Sequence, residues 1–170
     1  MNLIVSPALR ADIPAIAVLR TAVAEHLTSW HGPGHWSSAT TEQTVSRGLK
    51  SSLVLVSRSG SSIVATVRLT PKKPWAIDPT YFSVVHQPLY VHDMAVQPHL
   101  QRHGIGRRLL EEVKAAARAW PADSLRLDAY DSPAGAGDFY AKCGFVELGR
   151  VVYRTVPLIY YELLLGDHPE

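Results

Sequence analysis

The spacing of hydrophobic residues divides this chain into predicted helices and strands. A helix is predicted from Ile13 to about Thr28, because apolar residues recur there every three or four positions. Asp12 is the expected N-cap of this helix. Further helices are predicted over residues 41–50, 104–120 and 133–143. Short apolar or alternating runs predict strands at residues 3–5, 53–56, 63–69, 89–96, 125–130, 145–148 and 155–165.

Two segments between these elements follow neither pattern. Residues 29–36 hold two glycines and a proline among tryptophans and histidines, which excludes regular structure there. Residues 71–88 hold four prolines together with Trp75, Tyr81 and Phe82, which predicts a long aromatic loop. Because helices and strands alternate on both sides of a hairpin at residues 53–69, we predict a mixed α/β sheet in one domain spanning residues 1–170.

Composition narrows the classes of protein to which the chain can belong. Hydrophobic residues make up 46% of the 170 positions, which is enough to bury a core without metals or disulfides. Cys143 is the only cysteine, which favours a reducing, cytoplasmic location and excludes a multi-cysteine zinc site. The net charge of +2 argues against a nucleic-acid partner. No apolar stretch approaches the roughly 20 residues of a membrane span, so we expect no membrane partner. We expect no bound metal, because no cysteine or acid completes a site with His31 and His35.

The sharpest local motif lies between the predicted strand at 89–96 and the predicted helix at 104–120. It reads Gln101-Arg102-His103-Gly104-Ile105-Gly106-Arg107. Its two glycines allow a ligand to approach the backbone, and the helix that follows offers N–H groups and the positive end of its dipole. Arg102, Arg107 and Arg108 add positive charge, and residues 97–110 contain no acid. The motif predicts a pyrophosphate site, and a solvated glycine turn is the alternative.

Gln101 to Gly106 also matches the pattern Q/R-x-x-G-x-G/A of the GNAT superfamily of acetyltransferases, and the chain resembles that family at this point. Residues 93–98 resemble the strand and loop before the motif in the family. Residues 139–145 resemble its tyrosine-containing helix followed by Gly-Phe. The resemblance covers residues 89–165. It implies a single-domain GNAT-like fold with a mixed, mostly antiparallel central sheet flanked by helices.

The resemblance implies that acetyl-CoA is the cosubstrate and that a primary amine attacks its thioester directly. It places the pyrophosphate on the N–H groups of residues 102–107 and the pantetheine arm along strand 89–96, as an added strand. The family's usual asparagine falls at Pro133 in this chain, so Ser132 is the expected substitute. The implied coenzyme-binding residues are Met94, Ala95, Val96, Gln101, Arg102, His103, Gly104, Ile105, Gly106, Arg107, Ser132 and Tyr140.

Tyr140 occupies the position of the family's usual general acid, whose hydroxyl protonates the leaving thiolate. A base must take the proton of the attacking amine, and three residues are candidates. His92 comes first, because it lies on the strand expected to approach the thioester and ordinarily titrates near neutrality. Asp128 comes second, at a position similar to the acidic base of ribosomal-protein alanine acetyltransferases. Asp93 comes third, since alternation points it to the other face unless the strand bulges.

The acceptor stays open at the level of sequence. Aromatic residues in segments 29–36 and 71–88, which we expect to line the acceptor pocket, favour a small or aromatic amine over a basic protein tail. A peptide amine is a further option. Two other functions compete with this one: a non-catalytic acyl-CoA sensor of the same fold, and an acetyltransferase directed at aminoacyl-tRNA or at a protein. The apolar strand at 156–165 is a candidate pairing edge for a homodimer.

Overall fold

The computed structural model of the chain describes residues 1–166 and contains the predicted number of helices and strands in the predicted order. The strands are β1 (Leu3–Pro7), β2 (Leu53–Ser59), β3 (Ser62–Thr70), β4 (Pro88–Val96), β5 (Ser124–Tyr130), β6 (Val146–Tyr153) and β7 (Val156–Leu164). The α-helices are α1 (Ile13–His31), α2 (Glu42–Ser51), α3 (Ile105–Ala119) and α4 (Gly137–Lys142).

The strands hydrogen-bond in the order β1-β2-β3-β4-β5-β7-β6. The pairs β1–β2, β2–β3, β5–β7 and β6–β7 are antiparallel, whereas β4 and β5 run parallel. A mostly antiparallel sheet with helices confirms the predicted fold class. β7 pairs with both β5 and β6, so it is not a free edge that could pair with a second copy, and its default interpretation was burial in the core. The oligomeric state stays a prediction.

The chain forms two compact units. The first comprises residues 1–69 and 92–113, and the second comprises residues 70–91 and the chain from Lys114 onward. β4 and α3 each contribute residues to both units. The organisation of residues 1–170 as one domain stays a prediction.

In the first unit, the apolar stripe of α1 packs against β2 and β3. Ile16 and Leu19 of α1 are almost fully buried, together with Val56 of β2 and Ile63 of β3. Burying one such side chain stabilises a fold by about 1.5–3 kcal/mol. Asp12 precedes α1 as predicted, but its side chain does not cap that helix. Its Oδ2 instead accepts hydrogen bonds from the Leu9 N–H (2.7 Å) and from Arg58 Nη2 (2.6 Å), and the bond from Arg58 lowers the pKa of Asp12.

In the second unit, the predicted aromatic loop is held to β5 and β7. Phe82 is buried beneath the guanidinium of Arg126, whose Cζ atom lies 4.9 Å from the ring centre. Arg126 Nη2 donates to the Ser83 carbonyl (2.6 Å), and the Ser83 N–H donates to Glu162 (3.1 Å). Arg126 and Glu162 also pair with each other at 3.0 Å, with both side chains almost fully buried. Paired buried charges therefore fix the loop, since leaving either one unpaired would be costly.

Two predicted boundaries in the second unit were wrong. α4 begins at Gly137 rather than at residue 133, because residues 131–134 form a turn. A side chain at Gly135 would overlap the Tyr130 carbonyl of that turn. β6 continues to Tyr153, well beyond residue 148, and joins β7 through Arg154 and Thr155, both with positive φ (46° and 73°). Such hairpin turns usually contain Asn or Gly, so Arg-Thr gives no sequence signal for one.

Candidate active site

The predicted phosphate-binding loop lies in the first unit, between a 3₁₀ turn at Pro98–Leu100 and the start of α3. Gly104 has a left-handed backbone (φ 79°), and no atom lies within 4 Å of the position that a Cβ would occupy there. The first bond of α3 runs from the Arg108 N–H to the Gly104 carbonyl (3.0 Å). The N–H groups of the preceding first turn therefore have no acceptor within the helix. Open space beside these donors fits a pyrophosphate.

Several side chains of the loop hold its shape. Gln101 Nε2 donates to the Val96 carbonyl at the end of β4 (3.2 Å), which ties the loop to that strand. His103 Nδ1 lies 2.7 Å from the Gln101 carbonyl, a hydrogen bond that requires the proton on Nδ1. Arg108 Nη2 donates to the Leu3 carbonyl of β1 (2.8 Å). Arg102, Arg107 and Arg108 are all exposed, and the bond of Arg108 to Leu3 leaves Arg102 and Arg107 as the arginines best placed for a ligand.

β4 is not a regular strand along its whole length. Its register with β5 covers Pro88 to Tyr90, and Met94, Ala95 and Val96 lie beyond that register. Between the two stretches, Asp93 has a positive φ of 54°, which few residues other than glycine adopt. The left-handed backbone at Asp93 breaks the regular alternation that would point its side chain to the other face.

The backbone at Asp93 presents its carboxylate to two arginines of the first unit. Asp93 Oδ1 lies 3.0 Å from Arg20 Nη2 of α1, and Oδ2 lies 2.9 Å from Arg68 Nε of β3. Both carboxylate oxygens of Asp93 are therefore engaged by arginines, which makes Asp93 the least suited by geometry of the three candidate bases.

His92 precedes Asp93 and is half-buried. Burial disfavours its charged form, and the nearby Arg68 opposes protonation further, so the pKa of His92 falls to about 4 despite the opposing charge of Asp93. The expectation that this imidazole titrates near neutrality is therefore wrong. The imidazole is neutral throughout the neutral pH range, but a pKa of about 4 makes it a weak base toward an amine.

The second unit contains Tyr140, Ser132 and Asp128. Tyr140 is buried in α4, and its ring packs edge-on against Phe145, with centroids 5.7 Å apart. Ser132 Oγ accepts a hydrogen bond from the Ala134 N–H (3.0 Å), inside the turn after β5. Asp128 lies in β5 opposite Tyr160, and burial raises the pKa of its carboxyl group. A raised pKa makes Asp128 a stronger proton acceptor than an exposed carboxylate.

Sequence reasoning missed a cluster of arginines in the first unit. A cavity of about 220 Å³ is lined by Arg20, Arg47 and Arg68 together with Asp93. One signal was present, because Arg20 lies within the apolar stripe of α1. No residue of segment 29–36, which was expected to line the acceptor pocket, lines this cavity.

Comparison with known families and structures gives this geometry its context. The family model described as "Acetyltransferase (GNAT) domain" matches residues 50–147, more than half of the chain. The chain belongs to the GNAT family of acetyltransferases. It is therefore an acyltransferase that uses acetyl-CoA as cosubstrate, and the resemblance predicted from residues 101–106 is confirmed. No curated protein sequence matches the chain.

Solved structures share the fold over nearly the whole chain. The ribosomal-protein-S18-alanine N-acetyltransferase from Escherichia coli is 19% identical with a TM-score of 0.74, and the match covers 99% of this chain and 97% of that one. An N-acetyltransferase from Staphylococcus aureus Mu50 is 17% identical with a TM-score of 0.72, covering 98% and 100%. The yncA protein of Salmonella typhimurium, solved with its cofactor acetyl-CoA, is 19% identical with a TM-score of 0.70, covering 99% and 96%. At these identities the likeness shows the fold alone.

Two kinds of feature are absent from the described part of the chain. No helix within residues 1–166 is long and apolar enough to cross a membrane. The same residues contain no group of three or more His, Cys, Asp or Glu side chains that could hold a metal ion.

Proposed function

We propose that this protein transfers an acetyl group from acetyl-CoA to the primary amine of a small acceptor by direct attack. The observation that carries the proposal is the loop at the start of α3, where Gly104 leaves open space beside helix N–H groups that have no acceptor within the helix. The family model over residues 50–147 supports the same reaction.

Acetyl-CoA supplies the acetyl group in activated form, as a thioester. In the proposal, the N–H groups of residues 102–107 bind its pyrophosphate, and Arg102 and Arg107 add charge to that site. The backbone of Met94, Ala95 and Val96 binds the pantetheine arm. Gln101 and His103 act as positioning residues, because their side chains hold the loop to β4 and to itself. Ser132 is assigned to the coenzyme with less support, because its Oγ already accepts a bond within its own turn.

The protons are assigned to three side chains. His92 and Asp128 are the candidates to take the proton of the acceptor amine. The pKa of about 4 makes His92 a weak base, whereas burial raises the pKa of Asp128. Tyr140 donates its hydroxyl proton to the sulfur that leaves. The acceptor of the Escherichia coli neighbour is not carried over, since 19% identity supports the fold only. A cytoplasmic location also remains a proposal, supported by the single buried thiol of Cys143.

The test is a thiol-release assay with acetyl-CoA and a panel of primary amines. The panel contains amino acids, aryl-amines, polyamines, aminoglycosides and short peptides, and mass spectrometry identifies each acetylated product. We expect amine-dependent thiol release for at least one class. Binding of acetyl-CoA without any amine-dependent release, across the panel, would overturn the proposal and favour a sensor.

A further inference from the structure

The cavity in the first unit carries more positive charge than its carboxylate neutralises. Arg20, Arg47 and Arg68 line it, and Asp93 is the acidic residue among its lining residues. Asp93 pairs with Arg20 and with Arg68, each through a different oxygen. Arg47 is exposed on α2. Three arginines and one aspartate give the lining a formal charge of +2. This charge attracts an anion.

The guanidiniums of the cavity have donors to spare. Each has five N–H donors. Among the described residues, Arg20 gives one bond to Asp93, whereas Arg68 gives one to Asp93 and one to Ser52 Oγ (3.1 Å). Arg20 and Arg68 are held in place by the shared Asp93, so they lose little side-chain freedom when an anion binds. A carboxylate accepts two parallel N–H bonds from such a group.

The helix α2 shapes the cavity around these side chains. Thr44, Arg47, Gly48 and Ser51 recur at helical spacing, and all of them line the cavity. A Cβ on Gly48 would lie 3.2 Å from Arg68 Cδ, closer than ordinary van der Waals contact. The glycine therefore leaves room for Arg68 to extend along the helix.

The remaining lining sets the size and polarity of the occupant. Ile16, Val45, Val54 and Val67 provide apolar surface. The volume of about 220 Å³ is below the roughly 300–1,000 Å³ of sites for drug-sized ligands. A ligand that fits is small, has an anionic group and carries a short apolar body.

We propose that the acceptor is an amino acid or another small amine with a carboxylate, and that Arg20, Arg47 and Arg68 bind this carboxylate. The inference rests on the proposed function, because it names the acceptor of the same site. Asp93 connects the cavity with the residues of β4 assigned to the reaction, since it lines the cavity and lies between His92 and Met94. A polyamine or an aminoglycoside does not suit the cavity, because its cationic groups would face the arginines.

The first experiment compares amino acids with their carboxamides in the thiol-release assay. Each pair, such as alanine and alaninamide or valine and valinamide, has the same amine and side chain and differs in one negative charge. We expect kcat/KM to be higher for the acid by about 10-fold or more, because charge-assisted hydrogen bonds are roughly twice as strong as neutral ones. The amine of the carboxamide is less basic, so a larger fraction of it is unprotonated and reactive at neutral pH. This effect favours the carboxamide and therefore works against the expected result.

The second experiment uses variants and a binding measurement that needs no catalysis. Binding of N-acetylvaline and of N-acetylvalinamide is measured by calorimetry in the wild type, Arg47→Gln, Arg68→Gln and Arg68→Lys. We expect Arg47→Gln and Arg68→Gln to weaken binding of the acid by about 10-fold, and Arg68→Lys to weaken it less, since it keeps the charge. Arg47 is exposed, so its variant should fold normally. Arg118→Gln, an exposed arginine of α3 outside the cavity lining, is the matched control.

The outcomes separate the two proposals. Thiol release with neutral or cationic amines, but not with amino acids, would overturn the anionic acceptor and leave the proposed function standing. Absence of thiol release with every amine would overturn the proposed function, and N-acetylvaline binding that depends on Arg47 would still support the anion site. Equal binding of the acid and the amide would overturn the inference.

Discussion

The phosphate-binding loop and the arginine cavity belong to the same unit and are built in opposite ways. The loop is contiguous, from Gln101 to Arg107, and its expected donors are backbone N–H groups at the start of α3. The cavity collects side chains from α1, α2, β3 and β4, from Arg20 to Asp93. In the loop, the side chains support the backbone. In the cavity, the left-handed backbone at Asp93 supports the side chains.

The loop and the cavity are therefore sensitive to different kinds of substitution. A backbone site is sensitive to added atoms, because a side chain can fill the space meant for the ligand. A side-chain site is sensitive to lost charge, because its donors are the groups removed. We therefore expect variants that damage one site and leave the other intact.

Gly104→Val is expected to have the largest effect, and only on the loop. Its side chain would enter the open space beside the helix start and strain a left-handed residue. Loss of two charge-assisted bonds of about 1.5 kcal/mol each would raise the Kd of acetyl-CoA by about 100-fold. Calorimetry with acetyl-CoA measures the change, and binding of N-acetylvaline should stay the same.

Gly60→Val is the matched control for that variant. Gly60 also has a left-handed backbone (φ 60°), and no atom lies within 4 Å of the position that its Cβ would occupy, but it lies in the β2–β3 turn. Gly60→Val should lower the free energy of unfolding by about as much as Gly104→Val and leave acetyl-CoA binding unchanged. Equal loss of binding in both variants would mean that strain, rather than blockage of the loop, weakens the binding.

The same contrast explains how much the sequence could predict. The loop and the apolar stripe of α1 could be predicted because each is formed by residues close together in the sequence. The arginine cavity was not, because Arg20 and Arg68 lie 48 positions apart and meet only through the folded position of Asp93. The depressed pKa of His92 was missed for the same reason, since burial and the charge of Arg68 are properties of the fold. The Arg154–Thr155 turn was missed because its residues are unusual for its backbone.

Tyr140→Phe tests a residue outside both regions. The variant keeps the ring packed in α4 and removes only the hydroxyl. If the hydroxyl donates the proton to the leaving sulfur, kcat should fall by about 100-fold. Binding of acetyl-CoA and of N-acetylvaline should be unchanged. An unchanged kcat would remove Tyr140 from the chemistry and move the proton donor to water.

Asp93→Asn removes the charge that organises the cavity, with a smaller expected effect. Asparagine tolerates the left-handed backbone, so the change isolates the two ion pairs. The side chains are partly exposed, at 20%, 27% and 31% for Arg20, Arg68 and Asp93. We expect the free energy of unfolding to fall by about 1–2 kcal/mol. Urea denaturation measures it, and acetyl-CoA binding should not change.

Asp131→Asn is the control for the ion pairs of Asp93. Asp131 pairs with Arg150 at 3.2 Å, where the arginine side chain is 58% exposed. An exposed pair of this kind contributes little, about 0–1 kcal/mol. If both variants lower the free energy of unfolding by the same amount, the ion pairs of Asp93 are as well solvated as a pair on the protein surface. The arginines of the cavity would then bind an anion no more strongly than surface arginines do.

His92 provides the most specific test, through the pH dependence of stability. Its pKa is about 4 in the folded chain, below the ordinary value of 6.5. Between pH 4 and pH 6.5 the unfolded chain binds more protons at His92 than the folded chain does. The contribution of His92 to the free energy of unfolding is therefore fully present above pH 6.5 and is lost as the pH falls toward 4. Urea midpoints at pH 7 and pH 4.5 should therefore differ more in the wild type than in His92→Gln. The carboxylates titrate in both proteins and cancel in this comparison. An equal difference would show that the folded chain does not depress the pKa of His92.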